Sequence, residues 1–200
     1  MKNANIMKQE IARNLKAMAE EEPLKSITIS ALTERCKINR GTFYYHFIDI
    51  YDLIIWIFET EIIEPLEGYL HEHDYGSWSG ITRSCLMEMY KSRSFYCQAV
   101  RMDGQNNLRE YMQKRNYDCW KILTQKYIDA TSSRSLHCDE YIDFLVKYTA
   151  QSVCNMTIAW AEDGMRIPVD VMFKMDDLAT KGIYGVIDSL ESDNYRLTER

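Results

Sequence analysis

The sequence predicts an all-α protein of about nine helices, and three observations support this fold class. Apolar residues recur at three- and four-residue spacing along most of the 200-residue chain, which is typical of amphipathic helices. The chain has only three prolines and eight glycines, too few for the many turns of an all-β protein. Its apolar fraction of 46% is enough to build a core. We therefore expect one or two helical domains.

The first helix is predicted over residues 5–21. Its apolar stripe repeats at four- and three-residue intervals, and an acidic run followed by Pro23 closes it. The stripe consists of Met7, Ile11, Leu15 and Met18. Because these side chains share one face, we expect the helix to pack on the segment that follows.

Residues 28–47 predict two short helices joined by a tight turn. Thr28 opens the first of them, and apolar residues then repeat with helical spacing. Lys37 interrupts the pattern, and Asn39 is a good N-cap for the second helix because its side chain accepts a bond from a free N–H. Two helices this short and this closely joined are typical of a helix-turn-helix.

The second of these helices exposes an unusual set of polar groups if Phe43 and Phe47 face the core. An arginine donates to guanine edges or phosphates, hydroxyls contact phosphates, and a glycine lets the backbone approach closely. A protonated histidine adds a charged donor. The candidate DNA contacts are Thr28, Ser30, Asn39, Arg40, Gly41, Thr42, Tyr44, Tyr45 and His46.

The segment NRGTFYYHF, residues 39–47, resembles the recognition segment of the TetR family of bacterial transcriptional regulators. The resemblance covers about the first fifty residues closely and the remainder only in helical layout. It implies a DNA-binding domain at 1–48, and an effector-binding and dimerisation domain at 49–200. The family usually has Gly where this chain has Lys37, and Lys where it has Ile50. Lys37 lacks glycine's freedom in the turn, and Ile50 removes one phosphate contact.

The distribution of charge fits a DNA-binding head better than the net charge does. The whole chain carries −6 at pH 7, but residues 1–50 carry +2 and the remainder −8. A local basic face is what phosphate binding needs. Six cysteines without a C-x-x-C pair, and no long apolar run, predict a reduced cytoplasmic protein without a membrane span.

The remaining helices are predicted in order along the body. Asp49 caps a fourth helix that is apolar nearly all round and joins the head to the body. Further helices are predicted over 77–92, 95–102, about 106–131, 139–164 and 168–190. The last two carry more apolar residues than one inner face needs, which suits a homodimer with two helices from each subunit. The segment from Trp160 to Pro168 is similar to TetR-type regulators of the group that includes the dihydroxyacetone-kinase operon activator.

An unknown small-molecule effector is expected in the body, because aromatic side chains and amides lie on helices that, by the resemblance, enclose the effector pocket. The candidates are Trp56, Tyr90, Phe95, Tyr117, Trp120, Tyr148, Gln151 and Asn155. Each is alternatively a core or dimer-interface residue. Gln151 and Asn155, four residues apart, either serve as pocket donors or bond across the bundle.

Neither an enzyme nor a metal or cofactor site is expected. The chain has no phosphate-binding glycine loop, no G-x-S-x-G and no H-E-x-x-H. A helical enzyme using Glu59, Glu61 or Glu64 with His71 is conceivable, but nothing distinguishes these acids from a solvated face. The ligand-type residues at 71–74 and 137–140 are better explained by a helix end and a helix start.

We therefore predict a ligand-responsive repressor that binds a palindromic double-stranded DNA operator as a homodimer. The alternative is a helical protein-interaction module or co-regulator with a degenerate DNA-binding head. Lys37 and Ile50 are the two residues that keep this alternative open.

Overall fold

The computed structural model describes residues 2–74, 78–104, 107–131 and 139–192. Every regular element in these ranges is helical, so the predicted all-α class is confirmed. In the described ranges the α-helices form nine helical rods, because the fourth and fifth run into one another without a break. The count of about nine helices predicted from apolar spacing is therefore also confirmed.

Three helices form the head: α1 (Lys2–Glu21), α2 (Ile29–Arg35) and α3 (Arg40–His46). A single 3₁₀ turn, Leu24–Ser26, connects the first two. The predicted stripe of α1 faces inward, with Ile11 fully buried. The two short helices α2 and α3 and the tight turn between them match the helix-turn-helix prediction.

The rod that joins the head to the body consists of α4 (Ile50–Phe58), a π-helical stretch (Glu59–Ile63) and α5 (Glu64–Glu72). The predicted cap is present, since the Asp49 carboxylate accepts a hydrogen bond from the Asp52 amide at 2.8 Å. The apolar side chains of α4 face several partners at once, and α4 contacts both α1 and a body helix. A π-helical stretch adds a residue to one turn and is often found at functional sites.

Five further helices complete the body: α6 (Trp78–Lys91), α7 (Arg93–Ala99), α8 (Leu108–Thr131), α9 (Asp139–Glu162) and α10 (Val169–Ser192). α8 packs along α9, and α10 packs against α6 and α9. None of the helices in the described ranges has the length and apolar character needed to cross a membrane.

The end of α9 shows why the chain turns back into α10. Gly164 has φ +77°, and its N–H donates to the Ala161 carbonyl at 3.0 Å. The Met165 N–H donates to the Trp160 carbonyl at 2.8 Å. These two bonds form a Schellman motif, which glycine favours because it has no Cβ to clash in the left-handed region.

One hydrophobic core runs from the head into the body. It includes Ile11 of α1, Leu32 of α2, Phe43 of α3, Phe95 of α7 and Met172 of α10. A second cluster, which includes the fully buried Trp120 and Ile187, lies within the body. Because the first cluster crosses residue 48, the helix-turn-helix is packed onto the body and is not a separate unit on a tether.

Candidate nucleic-acid interface

The turn between α2 and α3 is a Schellman motif with lysine at the left-handed position. Lys37 has φ +56°, its N–H donates to the Glu34 carbonyl, and the Ile38 N–H donates to the Thr33 carbonyl, both at 3.0 Å. Glycine is the usual residue there because an L-side chain is strained at positive φ. Lys37 therefore adopts the turn that the resemblance implied, at a cost in conformational energy.

The start of α3 depends on three of the candidate DNA-contact residues. The Asn39 side-chain oxygen accepts hydrogen bonds from the Thr42 amide at 2.8 Å and the Thr42 hydroxyl at 3.2 Å. A Cβ at Gly41 would lie 3.1 Å from the same oxygen, so glycine leaves room for the cap. In the free protein the Thr42 hydroxyl thus donates its hydrogen to Asn39, and a contact of Thr42 with DNA stays a prediction.

The start of α2 is likewise capped by a side-chain oxygen. The Thr28 hydroxyl oxygen accepts a hydrogen bond from the Ala31 amide at 3.1 Å, while Ser30 is exposed on the first turn. Both residues lie at the N-terminal end of the helix that precedes α3. Thr28 thus stabilises α2, and a role of either residue at DNA stays a prediction.

The outer surface of α3 presents an arginine and two tyrosines. Phe43 and Phe47 are buried, as predicted, which turns Arg40, Tyr44 and Tyr45 outward. Tyr45 is 81% exposed. Within the described part of the chain, no carboxylate lies within ion-pair distance of Arg40. Its guanidinium is therefore free to donate to a base edge or phosphate.

The C-terminal end of α3 lies beside a cation, Lys8, whose position helical spacing alone does not reveal. The Lys8 ammonium of α1 lies 5.2 Å from the centre of the Phe47 ring and 5.6 Å from that of the Trp56 ring. Partial burial and the charge of Lys8 lower the pKa of His46. The predicted charged donor at His46 is therefore disfavoured at neutral pH in the free protein, and Lys8 supplies the positive charge at this end of α3.

Gln98 of α7 holds the head against the body. Its amide nitrogen donates to the Ala19 carbonyl at the end of α1, and its oxygen accepts from the Leu24 amide, both at 2.7 Å. Both partners are backbone groups at the point where α1 gives way to the 3₁₀ turn. One side chain thus satisfies a free helix carbonyl and a free amide.

The π-helical stretch carries two carboxylates that contact different parts of the molecule. Glu61 forms an ion pair with Lys16 of α1 and accepts a hydrogen bond from the Tyr96 hydroxyl of α7 at 3.1 Å. Burial, and then the Glu61 charge, raise the pKa of Tyr96 well above its usual value. Glu59 forms an ion pair with Arg115 of α8 at 3.0 Å. The π-helical stretch therefore contacts the head through Glu61 and the body helix α8 through Glu59.

A small, partly open cavity of about 80 Å³ lies in the body, next to this stretch. Its polar lining residues are Thr82, Asn116, Thr157 and Asp176, and Asp176 is only 5% exposed. Its walls also include Phe58, Ile62, Ile63, Leu66, Leu86 and Val153, together with Cys85, Cys154, Met89, Met112, Met156 and Met172. Burial, followed by the Asp176 charge, raises the pKa of Cys85 to about 12.

None of the eight predicted effector residues lines this cavity, and their role in binding an effector stays a prediction. Trp56 points to the head and packs edge-on against Phe47, with ring centres 5.7 Å apart. Tyr90 stacks on Trp160, and Phe95 is buried in the core shared by head and body. These three side chains stabilise the contact between helices, which is the core alternative given above.

The other five predicted effector residues belong to α8 and α9. The Tyr117 hydroxyl donates to Asp143 at 2.5 Å, and Trp120 is a fully buried member of the second core cluster. Tyr148, Gln151 and Asn155 lie exposed on the outer side of α9. Asn155 accepts a hydrogen bond from Gln113 at 3.2 Å, which matches the alternative of a bond across the bundle. The spacing of apolar residues indicates a helix here but does not show which of its sides faces inward.

Sequence reasoning missed the residues that do line the cavity, although one signal was available. Asp176 lies between the apolar residues Met172 and Ala179 at helical spacing, so it occupies an inward position of α10. A charged residue at such a position is unusual, because buried charges cost free energy unless they are paired or hydrogen-bonded. The carboxylate does interact with the surrounding protein.

An exposed apolar surface, the α9–α10 outer face, runs along the last two helices. Its side chains are Tyr141, Phe144 and Tyr148 of α9 and Val171, Met175, Leu178 and Val186 of α10. Phe144 is 71% and Leu178 70% exposed. A Cβ added at Gly182 or Gly185 would meet no atom within 4 Å, so the backbone there is open to close approach. Exposed apolar side chains grouped along a helix in this way are typical of interaction sites.

No group of three potential metal ligands occurs among the residues that the structure describes. His73 ends α5 with its ring stacked on Tyr69, the ring centres 3.9 Å apart. The 137–140 cluster begins outside the described ranges.

The fold and this surface define a class of protein. A helix-turn-helix with an exposed, arginine-bearing second helix, fused to a larger helical body, is the architecture of a DNA-binding regulator.

Residues 76–180 match a TetR-type family model described as the transcriptional regulator C-terminal region. The chain therefore belongs to the TetR family of transcriptional regulators. The HTH-type dhaKLM operon transcriptional activator DhaS of Lactococcus lactis subsp. lactis (strain IL1403) is 26% identical over 159 residues, which are 78% of this chain and 80% of that protein. A solved structure of the dihydroxyacetone kinase operon activator DhaS matches the fold with a TM-score of 0.71 at 20% identity, over 94% of this chain and 99% of that one.

Proposed function

We propose that this transcriptional regulator binds a palindromic DNA operator as a homodimer and responds to a small-molecule effector. The observation that carries the proposal is the exposed surface of α3, where Arg40, Tyr44 and Tyr45 point away from the core of the head. In the proposed complex α3 enters the major groove, Arg40 donates to a guanine edge or phosphate, and the tyrosine hydroxyls contact the backbone. Residues 1–48 form the DNA-binding domain and 49–200 the effector-binding and dimerisation domain.

The α9–α10 outer face supports the homodimer. Two helices from each subunit would form a four-helix bundle about a two-fold axis, with Gly182 and Gly185 where the backbones approach most closely. A two-fold axis also explains how one protein reads a palindrome, because it places two copies of α3 about one helical turn of DNA apart. Leu178→Glu should convert the dimer to monomers in light scattering. Lys181→Glu, a charge change at an exposed position on the same helix, is the matched control.

An effector in the body can act on the head through the rod that contains the π-helical stretch. The cavity walls include Phe58, Ile62 and Ile63 of this rod, and Glu61 of the same stretch pairs with Lys16 in the head. A ligand that binds one arrangement of the rod better than another shifts the population of head positions. This route supports the ligand-responsive part of the proposal.

Whether the protein represses or activates transcription is the most detailed part of the proposal. The sequence predicts a repressor in the cytoplasm, whereas the relative and the solved structure both bear the word activator in their names. A promoter-reporter assay with and without the protein distinguishes the two. Reporter output that falls when the protein is present supports repression, and output that rises overturns it.

The DNA-binding part is tested with variants of α3. Arg40→Ala and Tyr44→Ala should each abolish specific operator binding in gel-shift assays while the dimer stays intact. Arg13→Ala, which also removes one positive charge from the head but whose arginine pairs with Glu10, is the control and should retain binding. Operator binding by both α3 variants at the parent affinity would overturn the proposal.

A protein-interaction role is the second candidate, and exposure of apolar side chains on the head favours it. Ile48 is 79% exposed, and Ile50 replaces the lysine usual in the family. Salt dependence separates the two functions, because phosphate contacts make the logarithm of the affinity fall with log salt by about 0.9 for each phosphate. Binding to DNA fragments that is absent or independent of salt would favour the protein partner.

A further inference from the structure

The C-terminal end of α3 has no permanent positive charge from its own part of the chain. Between Arg40, at the start of α3, and Arg83 in α6 the sequence contains no lysine or arginine. This interval includes the rest of α3 and the whole rod formed by α4, the π-helical stretch and α5. A permanent cation beside this end of α3 therefore has to come from another segment.

Lys8 of α1 supplies this cation. The distances of its ammonium from the centres of the Phe47 and Trp56 rings, 5.2 Å and 5.6 Å, are within the roughly 6 Å at which a ring face attracts a cation. The C-terminal end of a helix also favours a cation, because its free carbonyls carry a partial negative charge. The pKa of His46, lowered by burial and then by the charge of Lys8, shows that these two side chains are within electrostatic reach. Lys8 is thus held beside the end of α3.

The charge of Lys8 is not neutralised by any residue in the described part of the chain. No carboxylate there forms an ion pair with its ammonium. The two acids that follow α3 accept other bonds, Asp49 from the Asp52 amide at 2.8 Å and Asp52 from the Ile48 amide at 2.9 Å. A ring face attracts an ammonium without cancelling its charge, and an ammonium has three N–H donors. The half-buried Lys8 therefore keeps both charge and donors for a further partner.

The length of α3 is close to the width of the groove that it enters in the proposed complex. Its seven residues span about 10 Å at about 1.5 Å per residue, and the major groove of B-DNA is about 12 Å wide. Arg40 lies at one end of this length, and Lys8 lies beside the other. With α3 in the groove, both cations come within reach of the phosphates that border it.

We propose that the Lys8 ammonium donates to a DNA phosphate at the C-terminal end of α3, so that α1 contributes a contact that positions α3 in the groove. The inference rests on the proposed function, because it adds a contact to the DNA-binding surface described there. Phosphate contacts fix the position of a protein on the duplex but carry no direct sequence information. Lys8 therefore strengthens binding to every DNA sequence, whereas Arg40 carries sequence preference.

The test compares the salt dependence of DNA binding by the full-length parent and by Lys8→Met, which keeps an apolar stem against the two rings and removes the charge. The probes are a mixed-sequence duplex and the pool of duplexes that the parent selects from a random library. Binding is followed by fluorescence anisotropy between about 50 and 200 mM salt. Each lost phosphate contact lowers the slope of log affinity against log salt by about 0.9, or by about 1.8 for a dimer with two heads. Over this range, the affinity of Lys8→Met for both probes should fall about tenfold less than that of the parent.

Two control variants separate a phosphate contact from a general loss of charge. Arg13→Met removes a charge from the same helix, but Arg13 pairs with Glu10, so this variant should keep the parent slope. Lys8→Arg keeps a cation that can lie over the rings, and it should also keep the slope. A merely structural role of Lys8 would weaken binding without changing the slope. The preference for the selected pool over the mixed-sequence duplex should be the same in Lys8→Met as in the parent, because a phosphate contact weakens all sequences alike.

A Lys8→Met slope equal to that of the parent, or an equal decrease in Arg13→Met, would overturn the inference. Loss of the preference for the selected pool in Lys8→Met would also overturn it, because that result assigns a base contact to Lys8. Arg40→Ala is measured on the same probes. A preference retained in Arg40→Ala, with a reduced slope in Lys8→Met, contradicts the proposed role of α3 alone. A preference lost in Arg40→Ala, with an unchanged slope in Lys8→Met, contradicts the Lys8 contact alone.

Discussion

Replacing Lys37 with glycine should stabilise the protein. At φ +56° an L-residue costs about 1–2 kcal/mol relative to its relaxed conformations, and glycine avoids that cost. Glycine also makes the unfolded chain more flexible, which offsets about 0.4–1 kcal/mol. The net gain is about 0.5–1 kcal/mol, and for a chain of this size the melting temperature should rise by about 1–4 °C. The two Schellman hydrogen bonds of the turn are made by backbone groups and are kept.

Two matched variants separate the effect of relieving backbone strain at position 37 from the effect of removing the Lys37 charge. Lys37→Ala removes the same ammonium but keeps a Cβ at positive φ, so it should show no gain. Met165→Gly relaxes the other non-glycine residue of the described chain with positive φ, at +54°, but its side chain is only 2% exposed. Met165→Gly should be less stable than the parent, because losing a buried methionine side chain costs more free energy than the relief of backbone strain contributes. Calorimetry of the four proteins is the assay. Lys37→Gly melting no higher than Lys37→Ala would refute the reasoning.

Three other predictions follow from the hydrogen bonds or the burial of individual side chains. Asn39→Ala should lower the free energy of unfolding by about 1 kcal/mol in a denaturant titration, because the α3 cap is lost. Gln98→Leu should cost about 1–3 kcal/mol, because it leaves a backbone amide and carbonyl of the head without their partner. Burial raises the pKa values of Cys85, Cys119 and Cys154 to about 12, so mass spectrometry should find these thiols unmodified after brief native alkylation at pH 8.

The controls for these predictions are substitutions of the same kind. Asn39→Asp keeps an accepting oxygen and should retain most of the stability lost in Asn39→Ala. Gln125→Leu changes an exposed glutamine that bonds only a neighbouring side chain on its own helix, and it should be nearly neutral. Alkylation after denaturation should label all cysteines. Equal losses in Gln98→Leu and Gln125→Leu would contradict the role given to Gln98, and rapid native labelling of Cys119 would contradict its burial.

Local structure was predictable from the sequence because its causes are local. Helical spacing indicated the helices, and the caps at Thr28, Asn39 and Asp49 have the side-chain bonds that their residue types favour. Gly164 ends α9 for the same kind of reason. On the head, where one aromatic face is buried and the other is polar, periodicity also indicated which side chains of α3 face outward.

The effector candidates were less predictable because several body helices are apolar on more than one side. Spacing alone does not tell an inner face from an interaction face, so exposed Tyr148 and Gln151 were grouped with buried Trp120. Contacts between residues that are far apart in the sequence are equally hard to predict from helical spacing. Nothing near Gln98 in the sequence reveals that it bonds the end of α1, and nothing near Trp56 reveals that it packs on Phe47.

The central claim is that α3 reads DNA from a two-fold dimer. The most direct measurement is selection of bound sequences from a random double-stranded library, carried out in parallel with the parent protein and Arg40→Ala. The account predicts that the parent enriches a palindrome with half-sites about one helical turn apart, and that Arg40→Ala enriches no such sequence. The same enriched palindrome with both proteins, or no palindrome with the parent, would contradict it.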